Sequence, residues 1–529
     1  MPLNKIVLII MCSIISRSIY AQPTNSNISN GLLFDGEPYL AMNPINNQNL
    51  VTAWMGLKFS NGLFRIAIKT RASFNGGNTW STANTLPHFG NAYGSADVSM
   101  AFDQNGFLYL AYIDYKQNPD SGGIYVARSS DGGLNWDTPS KAFDMYDIAN
   151  KRPIDRPWLV IDKSATANAG TLYVTTKPAP WIAPPNRPYY KVSADSGHTW
   201  SSIGFIDGAG YLTGNAIAAP MAAPVTTANG KFCAIYPSYV AAQNVLPSYY
   251  LAKSNNQGQS FNYNLVYVTI PAAVDTNLKN AYLLIAHPND ANKLFFALPT
   301  YQNGDADIIA INSLDEGQTW NSPVRVNDDA ISNGKAQDMV WAAYNQLGSI
   351  ATVWRDRRND NTNGFWNVGY DFYYALSVDN GQTFSANQKM SSQFIPFDSI
   401  IAENGNDFLS AVYSGDTLYT VWGDTRSGRL NIWFAKTIAS TNTTFDVTIL
   451  NENNDLFKVF PNPAEHQINI NFNFNDNVAT RPIDIFNLQG QKVISLFTSK
   501  TQNTIDISVL KRGVYIVKAG AQVNKLLVK

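Results

Sequence analysis

The chain has 529 residues, with 38 Lys+Arg against 39 Asp+Glu, so no broad basic field points to nucleic acid as a partner. Charged residues make up 15% and aromatic residues 12%, the balance of a turn-rich β protein with substantial packing. The four His are scattered, which argues against a transition-metal site, and no cofactor is expected.

At the N-terminus, residues 1–21 carry Lys5, the apolar run IVLIIMCSII and then SIYAQ. A positive start, a short apolar core and a small residue at the cut predict a secretory signal peptide cleaved after Ala21. The apolar stretch is too short to favour a transmembrane span. Met11 before Cys12 argues against a lipoprotein cut. Removal of the signal leaves Cys233 as the sole cysteine, so no intramolecular disulfide is expected and the thiol should be buried as a small apolar side chain.

Downstream, one octapeptide recurs six times: SFNGGNTW from Ser73, SSDGGLNW from Ser129, SADSGHTW from Ser193, SNNQGQSF from Ser254, SLDEGQTW from Ser313 and SVDNGQTF from Ser377. The copies start 56 to 64 residues apart, and a decayed seventh begins at Thr437. Asp, Asn and Ser side chains tie such a turn to its own backbone, while Gly at the fifth position supplies φ > 0. The unit predicts a hairpin turn followed by an aromatic that starts the next strand and packs inward. Each unit holds four strand-like runs, from EPYLAMN, LVTAWM, FRIAIKT and TWSTANTL in the first to NDFLSAVY, TLYTVWGD, NIWFAKT and TTFDVTIL in the seventh. Four strands per unit, repeated radially, predict an all-β propeller over 34–450, with seven blades favoured and a six-bladed closure as the alternative.

These S-x-D-x-G-x-T-W turns resemble the Asp boxes of the sialidase-like (BNR-repeat) propeller superfamily. The resemblance implies structural boxes on the face away from the active site. It leaves open a catalyst or a receptor, because enzymes and non-enzymatic members share the boxes.

After the polar NENND, the tail 456–529 turns to short alternating strands that predict a small β-sandwich. FPNP, IFNLQGQKV, IDISVLKRGVYIVK and the basic C-terminus resemble the C-terminal sorting domain of the type IX secretion system. The resemblance implies export across the outer membrane of a Bacteroidetes-type bacterium, with the secretion machinery as a partner and release or display at the cell surface as the destination.

A propeller binds ligands about its axis, where first strands begin and second-to-third strand loops emerge. Glu37, Asp97, Asp155–Arg156, Asp338 and Asp407 fall at or beside first-strand starts. Carboxylates converging there repel unless cations or protons compensate. The sixth unit adds Arg355, Asp356, Arg357 and Arg358, the seventh Asp424 and Arg426, and the third an aromatic, Pro-rich loop with Trp181 and Arg187. Arginine suits a carboxylate, acids suit sugar hydroxyls or proton transfer, and Trp stacks on sugar rings. Together they outline a carbohydrate site, with ion pairs bridging adjacent blades as the alternative for each Arg–Asp pair.

A sialidase requires three arginines, an acid–base Asp and a Tyr nucleophile. Its Arg-Ile-Pro motif is absent, since Arg65 of FRIAIKT falls on a third strand. By resemblance, Arg156, Arg355 and Arg426 could supply the triad, Asp97 or Asp155 the acid, and Tyr413 the nucleophile, with Glu37, Asp356, Asp424 and Trp181 contacting substrate. A retaining glycosidase using two carboxylates is equally compatible. The expected role is therefore a secreted, cell-surface propeller acting on or binding glycans, with exo-glycosidase chemistry and a non-catalytic glycan- or protein-binding role both open.

Overall fold

The computed structural model describes residues 23–60, 62–90, 92–117, 120–243, 246–269, 282–362, 364–365, 367–397, 406–440, 457–472, 481–487, 491–519 and 522–529. The expected signal peptide lies outside these residues. All regular structure among them is β, and the chain forms two compact units, Met1–Thr441 and Asn442–Lys529.

The first unit contains, among the described residues, seven antiparallel four-stranded sheets. Their first strands are Asp35–Asn43, Gly94–Phe102, Asp155–Ile161, Ala223–Thr226, Leu283–Ala286, Gln337–Tyr344 and Leu409–Ser414. Each contacts the next in chain order, and Leu409–Ser414 contacts Asp35–Asn43. The sheets therefore radiate from one axis, the β-propeller arrangement. Middle strands are sandwiched between neighbouring sheets, so Leu172–Lys177 and Leu294–Thr300 are buried at every residue. Burial on both faces explains why LFFALPT reads as a nearly continuous apolar run and not as alternation, while LYVTTK buries Thr175, Thr176 and Lys177 as well. Cys233 sits in such a strand, and burial pushes its thiol up to about 12.

Six sheets use four consecutive strands, but the seventh does not. Its outer strand is Thr24–Asn27, paired antiparallel with Asn431–Ile438 from Thr24↔Lys436 to Asn27↔Trp433. The run TTFDVTIL, expected in that place, lies outside the described residues. A strand from before residue 34 thus joins the last sheet, and its ladder hydrogen bonds tie the two ends of the repeat together.

All six octapeptide turns share one hydrogen-bond pattern. In the fifth, Ser313 Oγ donates to Asp315 Oδ1 at 2.8 Å and accepts from the Gly317 amide at 2.8 Å, while the Thr319 amide donates to Asp315 Oδ1 at 2.9 Å. Gly77, Gly133, Gly197, Gly258, Gly317 and Gly381 have φ of 76° to 92°, where a side chain is disfavoured. The terminal aromatic corrects the expectation. In the first, second, third, fifth and sixth turns it precedes the next strand by several residues, and it packs on the preceding sheet. Trp80 meets Phe434 edge-on at 5.2 Å, Trp136 Nε1 donates to Thr70 Oγ1 at 3.2 Å and Trp200 Nε1 to Ser140 Oγ at 3.1 Å. The turn is an inter-sheet clasp as well as a hairpin.

The second unit has a three-stranded and a four-stranded sheet that share one buried cluster, including Ile468, Ile470, Ile483, Ile485, Val517 and Leu526.

Candidate functional site

The first strands of four sheets begin with a bulge. Register shifts fall at Gly36/Tyr39, Ala96/Val98, Asp155/Trp158 and Asp338/Trp341. Inside each bulge a non-glycine residue has positive φ: Glu37 at 52°, Asp97 at 44°, Arg156 at 50° and Met339 at 52°. Such backbone is unfavourable for a residue with a Cβ and recurs where side chains must be re-aimed at a site. Here it gathers Glu37, Asp97 and Arg156 from three successive sheets at one end of the axis.

Asp407, just ahead of the seventh sheet's first strand, completes the group. Arg156 Nη2 donates to Asp407 Oδ2 at 2.5 Å, and the Arg156 amide donates to Asp97 Oδ2 at 3.0 Å. The guanidinium also lies over the Phe408 ring, 4.5 Å from its centroid. The Asn406 amide donates to Glu37 Oε1 at 3.3 Å, while Glu37 Oε2 has no hydrogen-bond partner among the described residues. Burial, followed by the charges of Asp97 and Asp407, holds the Glu37 carboxyl well above its ordinary value, against the pull of Arg156. Asp155 is lifted to about 6 by burial, which the adjacent Lys177 ammonium only partly offsets. The cluster thus combines a buried carboxyl that holds its proton more tightly than usual, partly accessible Asp97 and Asp407, and one arginine.

The other two sequence-nominated arginines are engaged elsewhere. Arg355 is 5% exposed and binds Asp338 through two hydrogen bonds, Nε to Oδ1 at 2.7 Å and Nη2 to Oδ2 at 2.5 Å. Arg357 adds a contact to Asp338 Oδ1 at 3.2 Å. Although Asp338 is buried, the two guanidinium groups hold it down to about 2.

Arg426 folds back on Asp424, with Nε to Oδ2 at 2.8 Å, and extends to Ser392 Oγ at 3.1 Å and Asn25 Oδ1 at 3.3 Å. Trp422 Nε1 donates to the same Asp424 Oδ2 at 2.8 Å. The sixth sheet repeats this arrangement through Trp354, Asp356 and Arg358, with indole to Asp356 Oδ2 at 2.8 Å and Arg358 Nε to the same oxygen at 3.0 Å. The counterpart of Arg426 is therefore Arg358, and Arg355 aligns with Gly423. The equivalence of Arg355 and Arg426 read from the loops is corrected by three residues, from Arg355 to Arg358. Arg358 reaches Asp328, beyond the fifth sheet's outer strand, at 2.6 Å. Ser392 likewise follows the sixth sheet's outer strand. Both W-x-D-x-R units are clasps between neighbouring sheets, and Asp356 and Asp424 are their buried pivots.

Tyr413 lies near the far end of its first strand, with its hydroxyl donating to the Ala439 carbonyl at 2.5 Å. It is not brought to Asp97, Asp155 or Glu37. Trp181 is 41% exposed and stacks on Tyr115, with ring centroids 5.8 Å apart. Burial, and then Asp97, Asp155 and Asp120, raise the Tyr115 phenol, which places this ring beside the acidic cluster. Tyr115 escaped the sequence reading. Its signal was its place at the end of the second strand LYLAYIDYKQ, where the chain returns to the face on which first strands begin.

Residues 458–529 match the secretion system C-terminal sorting domain family, so the tail is a sorting domain of the type IX route, and the protein is secreted or displayed at the cell surface. No curated protein matches the chain by sequence. Among solved structures, the chain is similar to a sialidase from Streptococcus pneumoniae, with 11% identity, 79% of this chain and 70% of that chain covered, and a TM-score of 0.38. It is also similar to an α-L-arabinanase from Penicillium chrysogenum, with 12% identity, 79% and 98% covered, and a TM-score of 0.43. A third is an α-L-arabinofuranosidase of Fusarium graminearum, with 11% identity, 78% and 97% covered, and a TM-score of 0.40.

Proposed function

We propose that this is a surface-exported seven-bladed propeller that binds a neutral glycan over the acidic cluster and hydrolyses a glycosidic bond there. The chain would be read as a signal peptide over 1–21, the propeller, and a β-sandwich sorting domain over 456–529, exported by a Bacteroidetes-type bacterium. The observation that carries the reading is Glu37, buried beside Asp97 on bulged backbone at the axis, with burial holding its carboxyl well above its ordinary value. Two neighbouring carboxyls in different environments are the pair glycoside hydrolysis requires, one to protonate the leaving oxygen and one to stabilise or attack the anomeric carbon. In this reading Glu37 is the acid and Asp97 its partner. Asp155 and Asp407 accept sugar hydroxyls, Arg156 fixes Asp407, and the Trp181–Tyr115 pair is a stacking platform at the rim.

An anionic sugar is disfavoured because Arg355 and Arg426 are held by Asp338 and Asp424. Only Arg156 remains at the cluster, already bonded to Asp407. A binding role without turnover is favoured by one observation: Glu37 is only 4% exposed.

Aryl glycosides of neutral pentoses and hexoses, with a sialoside alongside, test the reading on wild type and Glu37→Gln. Hydrolysis of a neutral substrate that falls roughly a hundredfold or more in Glu37→Gln, with binding retained, supports catalysis. Binding without turnover in wild type selects the receptor role, and cleavage of the sialoside alone refutes the neutral-sugar site.

A further inference from the structure

Below the acidic cluster the propeller axis is hollow. A cavity of about 420 Å³ is lined by residues of all seven first strands. Partly accessible Ala101, Val160, Val225, Ile285, Ala343 and Val412, each from a different strand, line its wall. Toward the cluster it ends on three aromatic rings: Trp158 stacks on Trp341 at 5.7 Å, and Tyr39 meets Trp341 edge-on at 5.3 Å. At the opposite mouth stands Lys163, two residues beyond the end of strand Asp155–Ile161. Among the described residues its ammonium has no hydrogen bond or ion pair, and Asp103 acts on it only through space.

An aliphatic bore offers water few hydrogen-bond partners, so an apolar chain displaces that water at little cost. Three residue steps from Trp158 to the strand end at Ile161 correspond to roughly 10 Å at the rise of a strand, and Lys163 stands two residues further on. The site is a bore with an aliphatic wall, closed by aromatics at one end and opening at the other on Lys163 with the polar Ser164, Thr227 and His287. We propose that the axial cavity binds a medium-chain alkyl monocarboxylate, tail against Trp158 and Trp341 and carboxylate on Lys163. A single lysine matches a single negative charge, and its flexible stem can follow the headgroup. The site is separate from the glycan cluster, because Tyr39, Trp158 and Trp341 lie between them.

The test titrates full-length protein with dodecanoate brominated at its terminal carbon, below the micelle concentration, while following tryptophan fluorescence. Saturable quenching is expected, and it should be deeper than with bromine beside the carboxylate. Replacing Trp158 and Trp341 by Phe should abolish the difference while calorimetry still records binding. Lys163→Met should weaken dodecanoate roughly tenfold and leave dodecanol unchanged. Absent saturation, equal quenching from both bromine positions, or equal loss of dodecanol and dodecanoate in Lys163→Met would each overturn the proposal.

Discussion

At the residue scale, the cluster combines strain, burial and charge in a few side chains. Glu37 has a folded-state value above its ordinary 4.5, so the folded chain holds that proton more tightly than the unfolded one. Its contribution to stability is therefore present at low pH and is lost as pH rises from 4.5 towards the raised value. Asp155 acts in the same direction between 3.8 and about 6. Asp338 is opposite: lowered to about 2, it stabilises above its ordinary 3.8 and that gain is lost as pH falls. Glu37→Gln should consequently raise the melting temperature near neutral pH while lowering turnover, and flatten the decline in stability as pH rises above the ordinary 4.5. Thermal unfolding across that range checks the sign, and a variant less stable than wild type at pH 7 would contradict a buried Glu37 that holds its proton more tightly than usual. Much of this site was legible, since the residues at first-strand starts named Glu37, Asp97, Asp155, Arg156 and Asp407. The charge states were not legible. They depend on positive-φ bulges whose sequences, GEPY, ADVS and DRPW, share no residue type that marks them.

At the element scale, the six octapeptides declared both the turn and its glycine conformation, because that chemistry is local. The aromatic at their end was misjudged for the converse reason: its partner lies on another sheet, some 60 residues away or across the ring closure. The W-x-D-x-R loops failed similarly. Sequence placed Arg355 and Arg426 at loop starts, but strand alternation sends Arg355 to Asp338 and leaves Arg358 as the counterpart of Arg426. Arg426→Lys tests the clasp. Lysine cannot reproduce the contacts to Asp424, Ser392 and Asn25 together, so a loss of roughly 1–2 kcal/mol of stability is expected. Glycan affinity should be unchanged. A folded variant with normal stability and lost glycan binding would return Arg426 to the site.

At the scale of the whole molecule, closure depends on Thr24–Asn27, a segment the repeat pattern could not nominate because it belongs to no unit. Deleting it leaves the Asn431–Ile438 edge unpaired and removes the strand ladder that ties the N-terminal segment to the last sheet, leaving only packing such as Trp80 on Phe434 and the Lys436 contacts to the first turn. The expected result is a markedly lower melting temperature and a tendency to associate through the open edge, read by calorimetry and light scattering. A deletion as stable as wild type would mean that the ring is held by packing alone. The tail has its own buried core, so removing residues 456–529 should leave the propeller folded and glycan binding intact, while surface display is lost. The proposed function rests on the cluster at the axis. Its most direct measurement is the binding of full-length protein and Asp97→Asn to arrays of neutral, sialylated and uronic-acid glycans. Neutral glycans bound by wild type and lost in Asp97→Asn is the predicted result. Preference for acidic glycans, or neutral binding untouched by Asp97→Asn, would contradict it.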